Sequence, residues 1–239
     1  RVSVKLLNHF NIKKPLVSYH EHNHVTAGQA VLNRLLAGES CALVTDAGTP
    51  AISDPGEDLV RLCVENGVEV RAIPGCCAAV NALAISGLPT GRFTFEGFLT
   101  VNKKSRREHL DSLKDETRTM IFHEAPHKLR TTLNDLTEAF GPDRRISLCR
   151  ELTKLHEEVI RCTLAEAVAY YEENSPKGEY VLVVAGAAPK TGAAVTLEDG
   201  VAQVLALKEQ GMRLKDAAKE VAEHTGLSKN ELYAAALDR

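Results

Sequence analysis

No apolar stretch in this 239-residue chain approaches the roughly 20 residues that a membrane-spanning helix needs. No secretory pattern is visible from Arg1 onward. The six cysteines include no CxxC pair, and a chain of this length has no need of disulfides to fold, so reduced thiols and a cytoplasmic location are expected. An excess of basic charge is missing too. With 29 Lys and Arg against 32 Asp and Glu, the formal net charge is −3, which argues against a broad, non-specific grip on nucleic acid and leaves local basic patches open. Internal repeats and low-complexity runs are absent. There is no initiator Met, and the first residues already follow a helical pattern (Val2, Val4, Leu6, Leu7, Phe10). An α/β domain normally opens with a strand, so an opening strand is expected to precede Arg1.

What is present reads as an ordinary globular α/β chain, 44% hydrophobic and 26% charged. Leu16 to Tyr19, Cys41 to Thr45 and Val68 to Ile73 have the short apolar signature of strands. Helices are expected between them: Thr26 to Leu36, then Asp54-Pro55 as N-cap and first residue of a helix running to Asn66, then Cys77 to Ser86. This βαβ alternation predicts a mostly parallel sheet. A second block predicts strands at Phe93 to Phe98, Thr117 to Phe122, Arg145 to Arg150, Glu157 to Arg161 and Tyr180 to Ala185. Its helices are Lys103 to Leu113, His127 to Phe140 and Leu164 to Glu173. Residues 187–195, small and with Pro and Gly, read as a linker. Three short helices follow (Leu197 to Gln210, Leu214 to His224, Ser228 to Leu237), with Ser228 and Glu231 spaced as a capping box. The domains are therefore 1–91, 92–187 and 188–239.

Chemistry is expected in loops at strand ends, where open α/β sheets bind ligands. Thr45 to Gly56 holds two glycines and two prolines between a strand and a helix, which suits a cofactor gripped by main-chain groups, although a well-made turn would look the same. Ile73-Pro74-Gly75-Cys76-Cys77-Ala78-Ala79 follows the next strand, and the two loops would form one pocket rim. Other motifs have plainer readings. His123-Glu124-Ala125-Pro126-His127 matches HExxH, but Pro126 separates strand from helix, so the two imidazoles need not share a face as zinc ligation demands. His20, His22 and His24 would share one face of a strand and could hold a metal or line a polar loop. Cys76-Cys77 reads as packing rather than a strained vicinal disulfide. Lys103, Lys104, Arg106 and Arg107 form the densest basic cluster, either a solvated helix start or an RNA phosphate contact. Arg150-Glu151-Leu152-Thr153-Lys154 puts a guanidinium, a carboxylate and an ammonium just past a strand, either an ion-paired turn or a functional one.

Six phrases occur in order: Ser18-Tyr19-His20-Glu21-His22-Asn23, Thr45 to Gly56, Ile73-Pro74-Gly75, Ala84-Ile85-Ser86-Gly87-Leu88-Pro89, Phe122 to His127, and Arg150 to Lys154. Together they resemble the ribosomal RNA 2′-O-ribose methyltransferase branch of the tetrapyrrole-methylase-like superfamily, over nearly the whole chain. The resemblance implies two α/β domains with S-adenosylmethionine in the cleft between them, a small C-terminal helical domain of helix-turn-helix type, and a homodimer. It implies methylation of the ribose 2′-hydroxyl of a cytidine in the decoding region of small-subunit ribosomal RNA, with the assembled subunit as the expected partner. Asp46, Gly48, Thr49, Pro50 and Ile52 would hold the methionine part. Pro74, Gly75, Cys77 and Ala78 would hold the donor from the other side. His123, Glu124, Ala125, Ala185 and Gly186 would border the adenosine. Two departures stand out. Cys76-Cys77 replaces the family's Pro-Ser, exchanging a hydroxyl for a weaker donor. The opening strand and its Pro-Ile-Gly-Asn loop are not in this sequence.

Methyl transfer from a sulfonium requires no metal. It requires alignment, and a base or a cation for the developing oxyanion. Lys154 and Glu151 are the candidates, with Arg150 positioning a phosphate and the substrate strand locally opened. The helical tail reads as an RNA-docking appendage, although Glu220, Glu223 and Glu231 dilute its basic charge. Two alternatives share parts of this reading: a tetrapyrrole (precorrin-type) methylase, and a non-catalytic RNA-binding module with a dead cofactor pocket. The tail and the Arg150 to Lys154 segment argue against the first, because a buried macrocycle needs neither.

Overall fold

A computed structural model describes residues 2–188 and 196–237. Most of the expected linker, residues 189–195, lies outside them. The chain forms two compact units, Arg1–Ala187 and Ala188–Arg239. The division expected at 91/92 falls inside the first, because a helix from the N-terminal part packs on the sheet of the second block.

That sheet has five strands: β1 (Phe93–Phe98), β2 (Thr119–Glu124), β3 (Arg145–Arg150), β4 (Glu158–Thr163) and β5 (Tyr180–Val184), in the order β1-β2-β5-β3-β4. Only β1 and β2 run parallel. β5 enters antiparallel between β2 and β3, and β3 and β4 pair antiparallel across a short connection. The sheet of the second block is therefore mixed, and the mostly parallel sheet expected from the alternation in residues 16–86 does not form among the described residues. Strand direction follows connection length, and a seven-residue link between β3 and β4 cannot carry the crossover that parallel pairing requires.

The central strands are buried on both faces. On one face Met120, Phe122, Ile146, Leu148, Leu182 and Val184 pack against α6 (Leu129–Phe140) and α7 (Leu164–Glu173). On the other, Ile121, Cys149, Val181 and Val183 meet Ala79, Ala82 and Leu83 of α4 (Ala78–Ile85). The small residues of α4 let its backbone come close: Cys149 Sγ lies 3.9 Å from the Ala82 carbonyl. Arg161 on β4 donates to the Ser86 carbonyl at 3.2 Å and fastens the far end of α4.

The N-terminal part keeps its helices, α1 (Val2–His9), α2 (His24–Leu36) and α3 (Glu57–Glu65), and shows no strand among the described residues. Segments 16–19, 41–45 and 68–73 carry the expected apolar pattern but no ladder. Their side chains are largely exposed, Val44 at 54% and Ile73 at 84%. An apolar pattern gives only a tendency; a strand exists where a neighbour takes its N–H and C=O groups, and none does here. α3 also starts later than expected. Gly56 is its N-cap, and Asp54 instead accepts a bond from Thr45 Oγ1 at 2.8 Å, closing the loop on itself.

In the second unit, α8 (Leu197–Glu209), α9 (Leu214–Thr225) and α10 (Lys229–Leu237) close on Val201, Val204, Ala218, Val221 and Leu232. Thr196 and Asp199 form the capping box of α8. At α10 only the Glu231 N–H to Ser228 Oγ half of the predicted box is made, at 3.5 Å.

Gly186 follows β5 where the chain passes the Thr117 carbonyl. A Cβ there would overlap that carbonyl and sit 2.8 Å from the Arg118 oxygen. Gly186→Ala should therefore lower stability by about 1–3 kcal/mol through backbone displacement. Denaturant melts of the two proteins check this, and equal midpoints would contradict it.

Candidate active site

The strand directions gather one set of residues and separate another. Phe98 stands beside His123, and Glu124 and Arg150 both flank Tyr180. The carboxyl ends of β1, β2 and β3 thus share one end of the sheet with the start of β5. Val184 stands opposite Met120 at the other end, so Ala185 and Gly186 lie three or more residue rises, about 10 Å, from His123. The two segments expected to border one adenosine therefore lie at opposite ends of the sheet. Ala185 and Gly186 hold the sheet edge instead: Ala185 N–H donates to the Arg145 carbonyl at 2.9 Å, and Arg144 donates to the Ala185 carbonyl at 3.0 Å.

The two Gly/Pro loops meet at the near end. Thr49 Oγ1 donates to the Cys76 carbonyl at 3.0 Å, and a Cβ on Gly48 would lie 3.4 Å from that same carbonyl. Gly48 has φ +77°, a conformation glycine adopts without strain. Asp46 accepts from Ser3 at 3.2 Å. Cys76 is exposed; Cys77 is half-buried against the α4 cluster, directly before α4 begins at Ala78; both thiols are free. Pro74, Gly75, Pro50 and Ile52 complete the rim, with Ile52 and Ile73 presenting apolar side chains outward.

His123 joins this loop to the sheet. Its Nδ1 shares a hydrogen bond of 3.1 Å with Ser53 Oγ, and its ring stands edge-on to Phe95 and Phe98, with centroids 5.2 and 5.4 Å away. Its Nε2 is buried without a partner. Burial pushes its pKa below the ordinary imidazole value, while the negative charges of Asp54 and Glu179 pull the other way. Glu124, one residue on, faces the opposite side. It is 3% exposed and accepts from Thr132 Oγ1 at 2.5 Å and the Ala125 N–H at 2.8 Å, so it ties the strand end to α6. Pro126 and His127 lie in a turn before α6, and His123 lies in β2, so the HExxH residues do not share a helix.

The turn after β3 is ion-paired. Lys154 Nζ contacts Glu151 at 2.8 Å and Glu179 at 2.7 Å, and Glu151 also accepts from the Glu179 N–H at 2.9 Å. Glu151 and Thr153 both have positive φ, +50° and +65°. The Glu151 contact, then Glu179, holds Lys154 above the usual ammonium range, and Lys154 in turn lowers Glu151. Arg150 does not join them: it lies on the α7 face of β3, 3.2 Å from Glu158 through Nε without an aligned hydrogen bond. The basic cluster of α5 (Lys103–Ser112) divides as well. Arg106 pairs with Asp135 at 2.8 Å and Arg107 with Glu138, both fastening α5 to α6. Lys104 lies 3.9 Å from Glu108, and Lys103 makes no ion pair among the described residues.

The His20–His22–His24 segment is a turn rather than a strand: Asn23 caps it through the His20 N–H at 2.8 Å and the Ser18 carbonyl at 3.0 Å. His24 instead opens α2 and reaches Asp58, which also accepts from Tyr19 at 2.6 Å, pinning α3 behind the first loop. Sequence reasoning missed Ser53, Glu179 and this Tyr19–Asp58–His24 contact. Ser53 stood inside a quoted loop; Glu179 carried no signal, since its position depends on β5 entering antiparallel.

Residues 3–168 match the family model described as tetrapyrrole (corrin/porphyrin) methylases, and residues 195–239 match the RsmI C-terminal HTH domain. Among curated relatives, ribosomal RNA small subunit methyltransferase I of Synechocystis sp. is 46% identical, over 98% of this chain and 84% of that protein. The protein of the same name from Pseudomonas aeruginosa is 44% identical, over 100% of this chain and 85% of its own. The chain belongs to the tetrapyrrole methylase family, in its ribosomal RNA small subunit methyltransferase I branch. The fold is shared with solved structures at low identity: the methyltransferase CobJ has a TM-score of 0.54 at 22% identity over 76% of this chain and 78% of its own. A diphthine synthase gives 0.55 at 13% identity over 77% and 73%. Among the described residues no helix is long and apolar enough to cross a membrane, and no group of three or more His, Cys, Asp or Glu is placed to hold a metal ion.

The shift at His123 has a sign that can be measured. A folded-state pKa below the unfolded one means the unfolded chain binds more protons, so stability is lost as pH falls below the unfolded value near 6.5. His123→Asn should flatten the stability loss between pH 7 and pH 5 relative to the parent, by less than the one-proton ceiling of about 1.4 kcal/mol per pH unit. Equal pH slopes in urea melts would show that His123 titrates normally.

Proposed function

We propose that this protein transfers a methyl group from S-adenosylmethionine to the ribose 2′-hydroxyl of a cytidine in the decoding region of small-subunit ribosomal RNA. The observation that carries the reading is the 46% identity to a ribosomal RNA small subunit methyltransferase across nearly the whole chain, helical tail included. A tetrapyrrole substrate gives no reason for that tail, which matches the RsmI C-terminal domain.

The residues fit the donor. The loop carrying Asp46, Gly48, Thr49, Pro50 and Ile52 and the loop carrying Pro74, Gly75, Cys77 and Ala78 leave main chain open at Gly48, whose φ of +77° disfavours any side chain. The buried, unpartnered Nε2 of His123 lies at the same strand end. These loops, with His123 and Ala125, would hold the donor; Glu124, Ala185 and Gly186 support the frame around it. When bound, the donor supplies a methyl on a sulfonium whose positive charge is lost on transfer. The protein then has to align the ribose oxygen and stabilise the charge that develops on it as the hydroxyl proton passes to water. Lys154, kept protonated by Glu151 and Glu179, acts there as a cation and not as a base, and Glu151 holds it in place. Lys103 and Lys104 are the members of the basic cluster free to meet phosphate. In this reading the substrate is the assembled subunit in the cytoplasm, and the enzyme is a homodimer.

Lys154→Ala should lower the single-turnover rate on unmodified small ribosomal subunits by about a hundredfold, with S-adenosylhomocysteine affinity nearly unchanged. An ion pair that only braces the turn predicts a lower melting temperature and a nearly normal rate, which would remove Lys154 from the mechanism. Run alongside with labelled donor, subunits should take up label and a precorrin mixture should not; the reverse would overturn the proposal.

A further inference from the structure

A cleft of about 240 Å³ opens on the face of the sheet away from the Gly/Pro loops, between the end of β3, the start of β4 and the last turn of α7. Arg150, Glu158, Tyr170, Asn174 and Lys177 line it. The charge within it is mostly positive. Arg150 is half-buried with its Nε unpartnered by any aligned acceptor, and Lys177, on the loop before β5, makes no ion pair among the described residues. Arg130 of α6 reaches the rim, donating to the Asn174 carbonyl at 3.3 Å. Against these three cations from three separate elements stands one facing carboxylate, Glu158, 3.2 Å from Arg150 Nε. The remaining wall is aromatic. Tyr170 is 41% exposed, too much for a core residue, and Tyr171 braces it edge-on at a centroid distance of 4.9 Å.

The geometry points to a nucleotide subsite: a single-stranded RNA phosphate held by Arg150 and Lys177, with the adjoining base stacked on Tyr170. Paired guanidinium and ammonium groups bind a phosphodiester, and an exposed, braced ring offers a face that any base can cover. The cleft lies at the end of the sheet where β3 leaves for the Glu151–Lys154 turn, so a strand seated here continues around that end toward the methyl-transfer site. The subsite rests on the RNA substrate proposed above. It also gives Arg150 a place: phosphate positioning, at a distance from the donor.

Tyr170 and Lys177 are exposed, so Tyr170→Ala, Lys177→Ala and their combination should fold. Methyl transfer to unmodified small ribosomal subunits is measured as a function of subunit and salt concentration, with S-adenosylhomocysteine affinity in parallel. The double variant should raise the subunit KM by about tenfold or more and reduce the log–log salt slope by about 0.7, the value for one phosphate contact on a single strand. Its kcat and donor affinity should match the parent, and Tyr170→Phe with Lys177→Arg should restore the KM. An unchanged KM, or a fall in kcat alone, overturns the subsite while leaving RNA methylation standing. A parent enzyme that binds donor and labels no subunit RNA overturns the substrate reading and the subsite with it.

Discussion

The antiparallel entry of β5 between β2 and β3 is the constraint from which the rest follows. Leu182 and Val183 at its centre are fully buried, so the ladder on both sides is fixed in register, and a one-residue slip would turn each core residue to the wrong face. That register sends Glu179 to the end of the sheet where His123 and Lys154 lie. It sends Ala185 and Gly186 to the other end. It also divides neighbours on one strand: His123 faces the Gly/Pro loops, while Glu124 is consumed in tying β2 to α6.

At the near end the charges form a connected series. Lys154 bridges Glu151 and Glu179, the field of Glu179 reaches His123, and His123 Nδ1 is hydrogen-bonded to Ser53 of the first loop. Burial lowers the pKa of His123 against the opposing pull of Asp54 and Glu179. The turn after β3 and the loop after residue 45 are thereby linked through one side chain that neither motif contains. The Tyr19–Asp58–His24 contact gives the first loop its second anchor, at the foot of α3.

How far the sequence carried depended on range. In residues 93–184 the strands and helices were legible because each apolar run found a partner, and the boundaries moved by only a residue or two. In residues 16–73 the same patterns made no ladder, since pairing is a property of neighbours and not of the segment. The direction of the strands in residues 93–184 was not legible from alternation; only the short β3–β4 link pointed to antiparallel pairing. Within the site, Gly48, Thr49 and Cys76 were readable as two loops destined to touch. The ion pairs of Arg106 and Arg107 were not legible, because their acceptors, Asp135 and Glu138, lie a full helix away in sequence. Arg150 and Lys154, four residues apart, were taken together, although strand alternation and the turn put them on different faces.

The central claim is methyl transfer to a ribose oxygen, and the direct measurement is where the methyl resides. Small ribosomal subunits from cells lacking this modification are incubated with the enzyme and labelled S-adenosylmethionine, and the RNA is then hydrolysed in alkali. A ribose 2′-O-methyl removes the hydroxyl that attacks the neighbouring phosphate, so the label should emerge in an alkali-resistant dinucleotide with cytidine on its 5′ side. Label released in mononucleotides would place the methyl on a base and contradict the account.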